Sequence, residues 1–120
     1  GPTGRTVLRL LQENEIVPTV IELNIDTVRS LRQEGVDTVY GDATRPDTLA
    51  GAGVATAGSL ILTSACMADS TEVIRAAREL NPKIRVLARG AYLRELPALR
   101  QSERACVDYA VGPVEAESLK

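Results

Sequence analysis

Two glycines and one acid carry the clearest chemical pattern in the sequence. Gly1 and Gly4 stand three positions apart at the start of a helical pattern, and Glu22 ends the next apolar segment. In the motif G-x-G-x-x-G the second glycine lets the backbone approach a pyrophosphate, and the third lets a helix pack closely on a strand. An acid roughly 20 residues later binds ribose hydroxyls. Gly1, Gly4 and Glu22 fit these last three positions, which predicts a dinucleotide site.

The first glycine of that motif, and the strand that should carry it, do not precede Gly1 in this sequence. In a Rossmann-like sheet this first strand lies in the middle. We therefore expect the 120 residues to be an amino-terminally truncated piece of a domain, with its first strand missing. Strands left without a partner in mid-sheet would expose their edges, so we expect low stability or strand exchange.

Helical and strand-like patterns alternate along the chain and are joined by short turns. This alternation predicts an α/β fold, a Rossmann-like doubly wound parallel sheet, formed by residues 1–120 as a single domain. Asn24 is predicted to cap one helix and Gly35 to follow its end in a left-handed conformation. Two capping boxes are predicted, Thr44 with Asp47 and Asp69 with Glu72. The predicted strands are 19–21, 36–40, 60–63, 84–88 and 107–111.

Several polar residues and one glycine are predicted to meet at one edge of this sheet, because each falls at a helix start or a strand end. Open α/β sheets bind ligands at that edge. Asp42 also suits a plain turn beside Gly41, and Thr63 suits strand-end packing. The residues are Gly4, Glu22, Asp42, Thr63 and Arg89.

Glu22 also indicates which nucleotide is bound. A carboxylate at this position accepts hydrogen bonds from two ribose hydroxyls and repels a 2′-phosphate. Neither Leu23 nor Asn24 supplies an arginine to receive such a phosphate. NAD or a plain adenine nucleotide is therefore favoured over NADP.

Composition excludes several classes of function. A net charge of −2 argues against a nucleic-acid partner, whose footprint is a basic surplus. No apolar run reaches the roughly 18 residues of a membrane span, so direct membrane insertion of this chain is not expected. Cys66 and Cys106 lie in or beside apolar segments and are predicted to be reduced core residues of a cytosolic protein.

The sequence is also poor in catalytic groups. It has no histidine, and it lacks a Gly-Lys-Ser/Thr phosphate loop, a Gly-x-Ser-x-Gly elbow and a cysteine cluster for zinc. The tyrosines do not form the Tyr-x-x-x-Lys pair of short-chain dehydrogenases. A nucleotide site without such groups indicates sensing, so we do not expect an enzyme or a metal site.

Short motifs along nearly the whole chain are typical of one family. They are Gly-Pro-Thr-Gly-Arg at 1–5, Val-Ile-Glu at 20–22, Tyr-Gly-Asp-Ala-Thr-Arg-Pro at 40–46, Ala-Gly-Val at 52–54, Leu-Ile-Leu-Thr at 60–63, Leu-Asn-Pro at 80–82 and Leu-Ala-Arg at 87–89. Together they resemble the TrkA amino-terminal (TrkA-N) domains, the nucleotide-binding domains that regulate potassium conductance (RCK). The stretch at 41–46 with the later Leu-Ala-Arg looks most like the cytoplasmic domains of Kef-type monovalent cation:proton antiporters.

This resemblance implies a regulatory domain on the cytosolic face of the inner membrane, attached to a transmembrane cation antiporter or channel domain. It implies a homodimer paired through its last helices, in which bound NAD(H) or AMP gates ion transport. The residues that match the family's ligand site fall into three groups. They are Gly1, Thr3, Gly4 and Arg5 at the phosphates, Glu22 at the ribose with Asp42 and Ala43 near the adenine, and Thr63 and Arg89 along the same cleft.

This sequence departs from the family's pattern at Gly90 and Ala91, where some relatives carry a further basic residue. Two other classes of protein also fit the residues. One is the cofactor-binding half of an NAD-dependent oxidoreductase, whose catalytic groups would lie in a further domain. The other is an adenine-nucleotide or S-adenosylmethionine binder of unrelated function.

Overall fold

The computed structural model describes residues 2–63, 67–87 and 105–107, and the side-chain surroundings of residues 4–63 and 71–87. Helices and parallel strands alternate through these ranges. In chain order they are α1 (Pro2–Glu13), β1 (Thr19–Glu22), α2 (Ile25–Gln33), β2 (Asp37–Tyr40), α3 (Pro46–Gly51), a 3₁₀ turn (Val54–Thr56), β3 (Ser59–Ile61), α4 (Met67–Leu80), β4 (Arg85–Leu87) and β5 (Ala105–Val107).

The five described strands form one sheet in the order β2-β1-β5-β3-β4, and every neighbouring pair is parallel. The predicted parallel α/β architecture is therefore confirmed. Since all strands run the same way, their carboxyl ends share one edge of the sheet, called here the carboxyl edge. Their first residues share the opposite, amino edge.

The position of β5 differs from the sequence expectation. The sequence predicts a gap in the middle of the sheet, with exposed strand edges beside it. Instead β5 occupies it, with Cys106 in register with Thr19 of β1 and Leu60 of β3. The strand also begins at Ala105, ahead of the predicted start at Val107, and the rest of the predicted segment lies outside the described residues.

Local sequence explains how α2 begins and ends. The side chain of Asn24 accepts hydrogen bonds from the backbone N–H groups of Asp26 and Thr27, which have no partner within the helix. Past the other end, Gly35 has a φ of +84°, a conformation in which glycine lacks the steric cost that other residues meet. Both predictions for this helix are confirmed.

The two predicted capping boxes are wrong. The N-cap of α3 is Arg45, which makes no side-chain capping bond, and Pro46 opens the helix. Thr44 instead bonds backward to Asp42. The helix α4 begins at Met67, so Asp69 lies inside it and not at its cap. Its predicted end is confirmed, because α4 stops at Leu80, directly before Asn81 and Pro82.

The core consists of aliphatic side chains from the sheet and the helices against it, as the scarcity of aromatic residues predicts. Apolar residues that recur at helical spacing, such as Val7, Leu8 and Leu11 in α1, are buried together with the strand residues. Of the two cysteines, Cys66 lies outside the described residues and Cys106 lies in β5. None of the described helices combines the length and apolar content needed to span a membrane.

Candidate functional site

Glu22 is the last residue of β1, and its side chain is held in place by the backbone that follows. Its Oε1 atom accepts hydrogen bonds from the N–H of Leu23 at 3.0 Å and from the N–H of Asn24 at 2.9 Å. The residue is half-buried at the carboxyl edge. Because a carboxylate has several acceptor positions, Glu22 retains capacity to accept hydroxyl donors from a ligand.

The end of β2 is attached directly to the end of β1. The N–H of Gly41 donates to the backbone carbonyl of Glu22 at 3.0 Å, which continues the pairing of the two strands. The half-buried Asp42 follows, with Ala43 packed against the core behind it. Of the predicted residues, Glu22, Asp42 and Ala43 are thus brought together at the carboxyl edge.

Asp42 is bound within its own turn. Its Oδ1 atom accepts hydrogen bonds from the N–H of Thr44 at 2.9 Å and from the Thr44 hydroxyl at 2.8 Å. The backbone N–H of Thr44 lowers the pKa of Asp42 most, followed by the Thr44 hydroxyl and the charge of Arg45. The turn therefore keeps this carboxylate ionised and fixes its direction.

Thr63 lies two residues past the end of β3, at the same carboxyl edge, and is half-buried. Just before it, the N–H of Leu62 donates to the carbonyl of Leu87 in β4 at 2.8 Å. This bond extends the pairing of β3 with β4 almost to Thr63. The position of Thr63 on the site's edge is thereby fixed by the sheet itself.

The predicted phosphate-binding residues are placed less uniformly. Gly4 is buried in the first turn of α1, and Thr3 lies in the same turn, although its side-chain surroundings are not described. The Arg5 guanidinium donates to both carboxylate oxygens of Glu34, each at 2.8 Å. Glu34 is the C-cap of α2, shortly before β2 begins, so Arg5 is directed away from the carboxyl edge. Gly1 and Arg89 lie outside the described residues.

Sequence reasoning missed three exposed apolar side chains near Glu22. Leu23 is 64% exposed, Tyr40 is 55% exposed and Ile25 is 39% exposed. Tyr40 is the register partner of Glu22 on β2, and Leu23 is its chain neighbour. The sequence signal that could have identified them is their apolar character at a strand end and a helix start, where polar residues are usual. Such side chains can contact the flat face of a nucleotide base.

Within the parts of the chain that the structure describes, no group of three or more His, Cys, Asp or Glu side chains could hold a metal ion. Two carboxylates of the predicted site, those of Glu22 and Asp42, stand at the carboxyl edge, and an exposed ion pair follows separately at the start of α3. Arg45 lies 3.8 Å from Asp47 and both are largely exposed. The arrangement is suited to accepting hydrogen bonds from a polar ligand.

Comparison with known proteins places this geometry in a family. The sequence profile of the TrkA-N domain matches residues 1–113. A crystal structure of the TrkA-N domain of the inner membrane protein YbaL from Escherichia coli is similar, with a TM-score of 0.71 and 32% sequence identity. The match covers 73% of this chain and 65% of the YbaL chain, so this chain spans about 65% of the length of its solved relative. TrkA-N domains have a Rossmann-like fold and bind nucleotides such as NAD(H). The chain belongs to the TrkA-N domain family.

Proposed function

We propose that this domain senses an adenine nucleotide, NAD(H) or AMP, at the carboxyl edge of its sheet. The observation that carries the proposal is the fixed carboxylate of Glu22 at the end of β1. Two backbone N–H groups orient it before any ligand arrives, so that little conformational freedom is lost on binding. A fixed acceptor of this kind suits the two neighbouring hydroxyls of a ribose.

In this proposal the neighbouring strand ends complete the adenosine site. The exposed faces of Tyr40 and Leu23 flank Glu22 and offer apolar contact to the adenine base. Asp42 and Ala43 lie beside the base, and Thr63 and Arg89 line the cleft further along. The pKa of Asp42 is lowered within its turn, so it acts there as a charged hydrogen-bond acceptor.

The proposed phosphate contacts come from the start of α1, through Gly1, Thr3 and Gly4. A helix amino terminus offers free N–H groups and a partial positive charge to an anion. Arg5 is proposed to join these contacts, which requires its side chain to leave Glu34. Both side chains of that ion pair are about half exposed, so the exchange of one anionic partner for another costs little.

We further propose that the domain is regulatory and not catalytic. The absence of histidine and of recognisable catalytic motifs from the sequence supports this view. In the whole protein, residues 1–120 would act as one domain, with helices on both faces of the sheet, dimerised on the cytosolic side of a transmembrane cation:proton antiporter of the Kef type. A nucleotide that binds two conformations of the dimer unequally would shift their populations and so gate ion transport.

Calorimetric titration of the chain with NADH, NAD, AMP and NADPH tests the nucleotide site. The key variant is Glu22→Gln, because its amide oxygen still accepts from Leu23 and Asn24 while the negative charge is lost. We expect NADH and AMP to bind about tenfold more weakly, as the loss of one charge-assisted hydrogen bond predicts. The preference for NADH over NADPH should shrink as well, because the repulsion of a 2′-phosphate disappears.

Asp47→Asn is the matched control, since it removes one exposed carboxylate from the nearby helix α3 without touching Glu22. It should bind all four nucleotides as the parent chain does. If the parent chain binds none of them, the nucleotide-sensing proposal fails. Equal binding of NADH and NADPH by the parent chain would instead reject the role given to Glu22.

A further inference from the structure

A cavity of about 250 Å³ opens at the amino edge of the sheet, at the opposite ends of the strands from Glu22. It lies where the chain enters β1 and β2. Pro18 and Val36 directly precede the two strands, and Asp37 is the first residue of β2. The proposed nucleotide site does not include these residues, so the two sites can be tested separately.

The cavity has an apolar floor and one apolar side chain at its rim. Ile16, Pro18 and Val36 are buried residues of its lining. Val17 also lines the cavity, yet it is 61% exposed. A side chain with an aliphatic stem would therefore find apolar contact from the floor up to the opening.

Among the residues that the structure describes, the charged members of the lining are Glu15 and Asp37, both acidic, and none is basic. Asp37 is oriented by Thr19, whose hydroxyl donates to its Oδ2 atom at 2.6 Å. Glu15 has a φ of +60°, which is uncommon for a residue other than glycine, and its side chain is exposed. Two carboxylates thus stand over an apolar cavity.

We propose that this amino-edge cavity binds an arginine side chain presented by a protein partner. The volume lies below the range of about 300–1,000 Å³ that is usual for small-molecule sites, so it suits a single side chain. The aliphatic stem of an arginine fits the apolar floor, and its planar guanidinium can donate to Glu15 and Asp37. Charge complementarity therefore identifies the occupant as a basic, partly apolar protein surface.

The probe for this proposal is the capped tripeptide acetyl-Val-Arg-Val-amide, titrated into the ¹⁵N-labelled chain and followed by NMR. Its control has citrulline in place of arginine, which keeps the shape and removes the charge. With the arginine peptide we expect saturable shifts in the amide signals of four cavity residues, Glu15, Val17, Gly35 and Asp37. Added salt should weaken the binding of this peptide. The citrulline peptide should bind at least several-fold more weakly.

Variants of the chain separate the electrostatic part of the interaction from its apolar part. Glu15→Gln should weaken the binding of the arginine peptide about two- to fivefold, as expected for the loss of one exposed ion pair. Val17→Thr should weaken the binding of both peptides, because it removes apolar contact and leaves the charge of the cavity unchanged. Asp47→Asn removes a carboxylate from α3 and should change nothing.

Equal binding of the arginine and citrulline peptides would overturn the proposal, and so would shifts confined to residues outside the cavity. If the same amides shift when the chain alone is concentrated, a second copy occupies the cavity and the proposed partner is wrong. Loss of nucleotide binding in Glu22→Gln leaves this result unaffected, because that side chain lies at the other edge of the sheet.

Discussion

The N–H of Gly41 donates to the backbone carbonyl of Glu22 at 3.0 Å, and this bond ties the turn that follows β2 to the end of β1. It follows the register pairing of Glu22 with Tyr40 and carries the parallel ladder one residue past β2. Asp42 begins its turn immediately afterwards. The distance between the Glu22 and Asp42 carboxylates is therefore limited by the sheet and by Gly41.

Substitution of Gly41 by alanine should destabilise the domain by about 1–3 kcal/mol. A Cβ atom at this position would lie 2.9 Å from both Cγ2 and Oγ1 of Thr48 in α3, so the Thr48 side chain, the turn or the helix must move. Urea unfolding followed by circular dichroism measures the loss. The proposed nucleotide site should also weaken, because the turn carries Asp42.

A second substitution shows whether this close contact is the cause. In the double variant Gly41→Ala with Thr48→Ala, both clashing atoms are absent. The double variant should therefore be clearly more stable than the sum of the two single losses predicts. Gly51→Ala is the control, because a Cβ there meets nothing within 4 Å and alanine favours the helix. An additive double variant would show that Thr48 is not responsible.

The turn of Asp42 predicts a pH dependence of stability. Its pKa is lowered in the folded state from an ordinary value of 3.8, chiefly by the backbone N–H of Thr44. The ionised carboxylate therefore stabilises the fold above the unfolded-state pKa, and this contribution is lost as the pH falls through the folded-state pKa. Asp42→Asn should be less stable than the parent at neutral pH, and the difference should close in acid. Chemical unfolding over a pH series measures this, and a difference that stays constant down to acid pH would contradict it.

Asn81 should contribute more to stability than other polar residues of the surface. Its side-chain amide donates to the carbonyl of Val54 at 2.9 Å and to that of Ala57 at 2.7 Å, which joins the end of α4 to the 3₁₀ turn. Val54 and Ala57 are buried, and Asn81→Ala takes one hydrogen bond from the carbonyl of each, although the Val54 carbonyl still accepts from the N–H of Ala57 at 3.1 Å. The variant should cost about 1–3 kcal/mol in the free energy of unfolding.

Asn14→Ala is the matched control for Asn81, since its amide makes one exposed bond to the carbonyl of Leu10 at 2.8 Å. Its loss should change stability by less than about 0.5 kcal/mol. Asn81→Asp keeps the size of the side chain, yet an ionised carboxylate cannot donate, so it should be as unstable as Asn81→Ala. Similar, small losses in all three variants would show that the two bonds contribute little.

The central position of β5 can be tested with proline. Every N–H within this strand faces a neighbouring strand, because β5 lies between β1 and β3. Cys106→Pro should therefore remove a ladder bond, and we expect a loss of about 3 kcal/mol or more, or failure to fold. Thermal unfolding and the amide signals of Thr19 and Leu60, its register partners, measure the effect.

Val86→Pro supplies the comparison, because β4 is an edge strand of the sheet that the described residues form. The N–H of the preceding residue, Arg85, donates to Gly58, so the alternation of the ladder directs the N–H of Val86 away from β3. This variant should lose clearly less stability than Cys106→Pro. Equal losses would show that β5 does not lie within the sheet.

Features that depend on neighbouring residues in the sequence were predicted well. The cap at Asn24, the positive φ of Gly35 and the end of α4 before Pro82 follow from the chemistry of a few adjacent residues. The place of Glu22 at a strand end needed only the apolar pattern before it. The capping boxes failed because Thr44 found a nearer partner in Asp42, and because α4 starts before Asp69.

Several features that depend on distant parts of the chain were not predicted. Hydrophobic periodicity identifies a strand without naming its neighbours, so the sequence placed no strand between β1 and β3. The pairing of Arg5 with Glu34 likewise joins two helices whose spacing only the fold determines. The exposure of Tyr40 and Leu23, the register partner and the chain neighbour of Glu22, also became known only from the structure.

The mid-sheet place of β5 also constrains how the domain is made. A ribosome synthesises Thr19 and Leu60 long before Cys106, the register partner that both residues share. During that interval the two halves of the sheet lack the strand that joins them, and both present unpaired backbone groups. Synthesis speed and chaperone access over this stretch should therefore govern the yield of folded protein, since contacts so far apart in sequence form slowly.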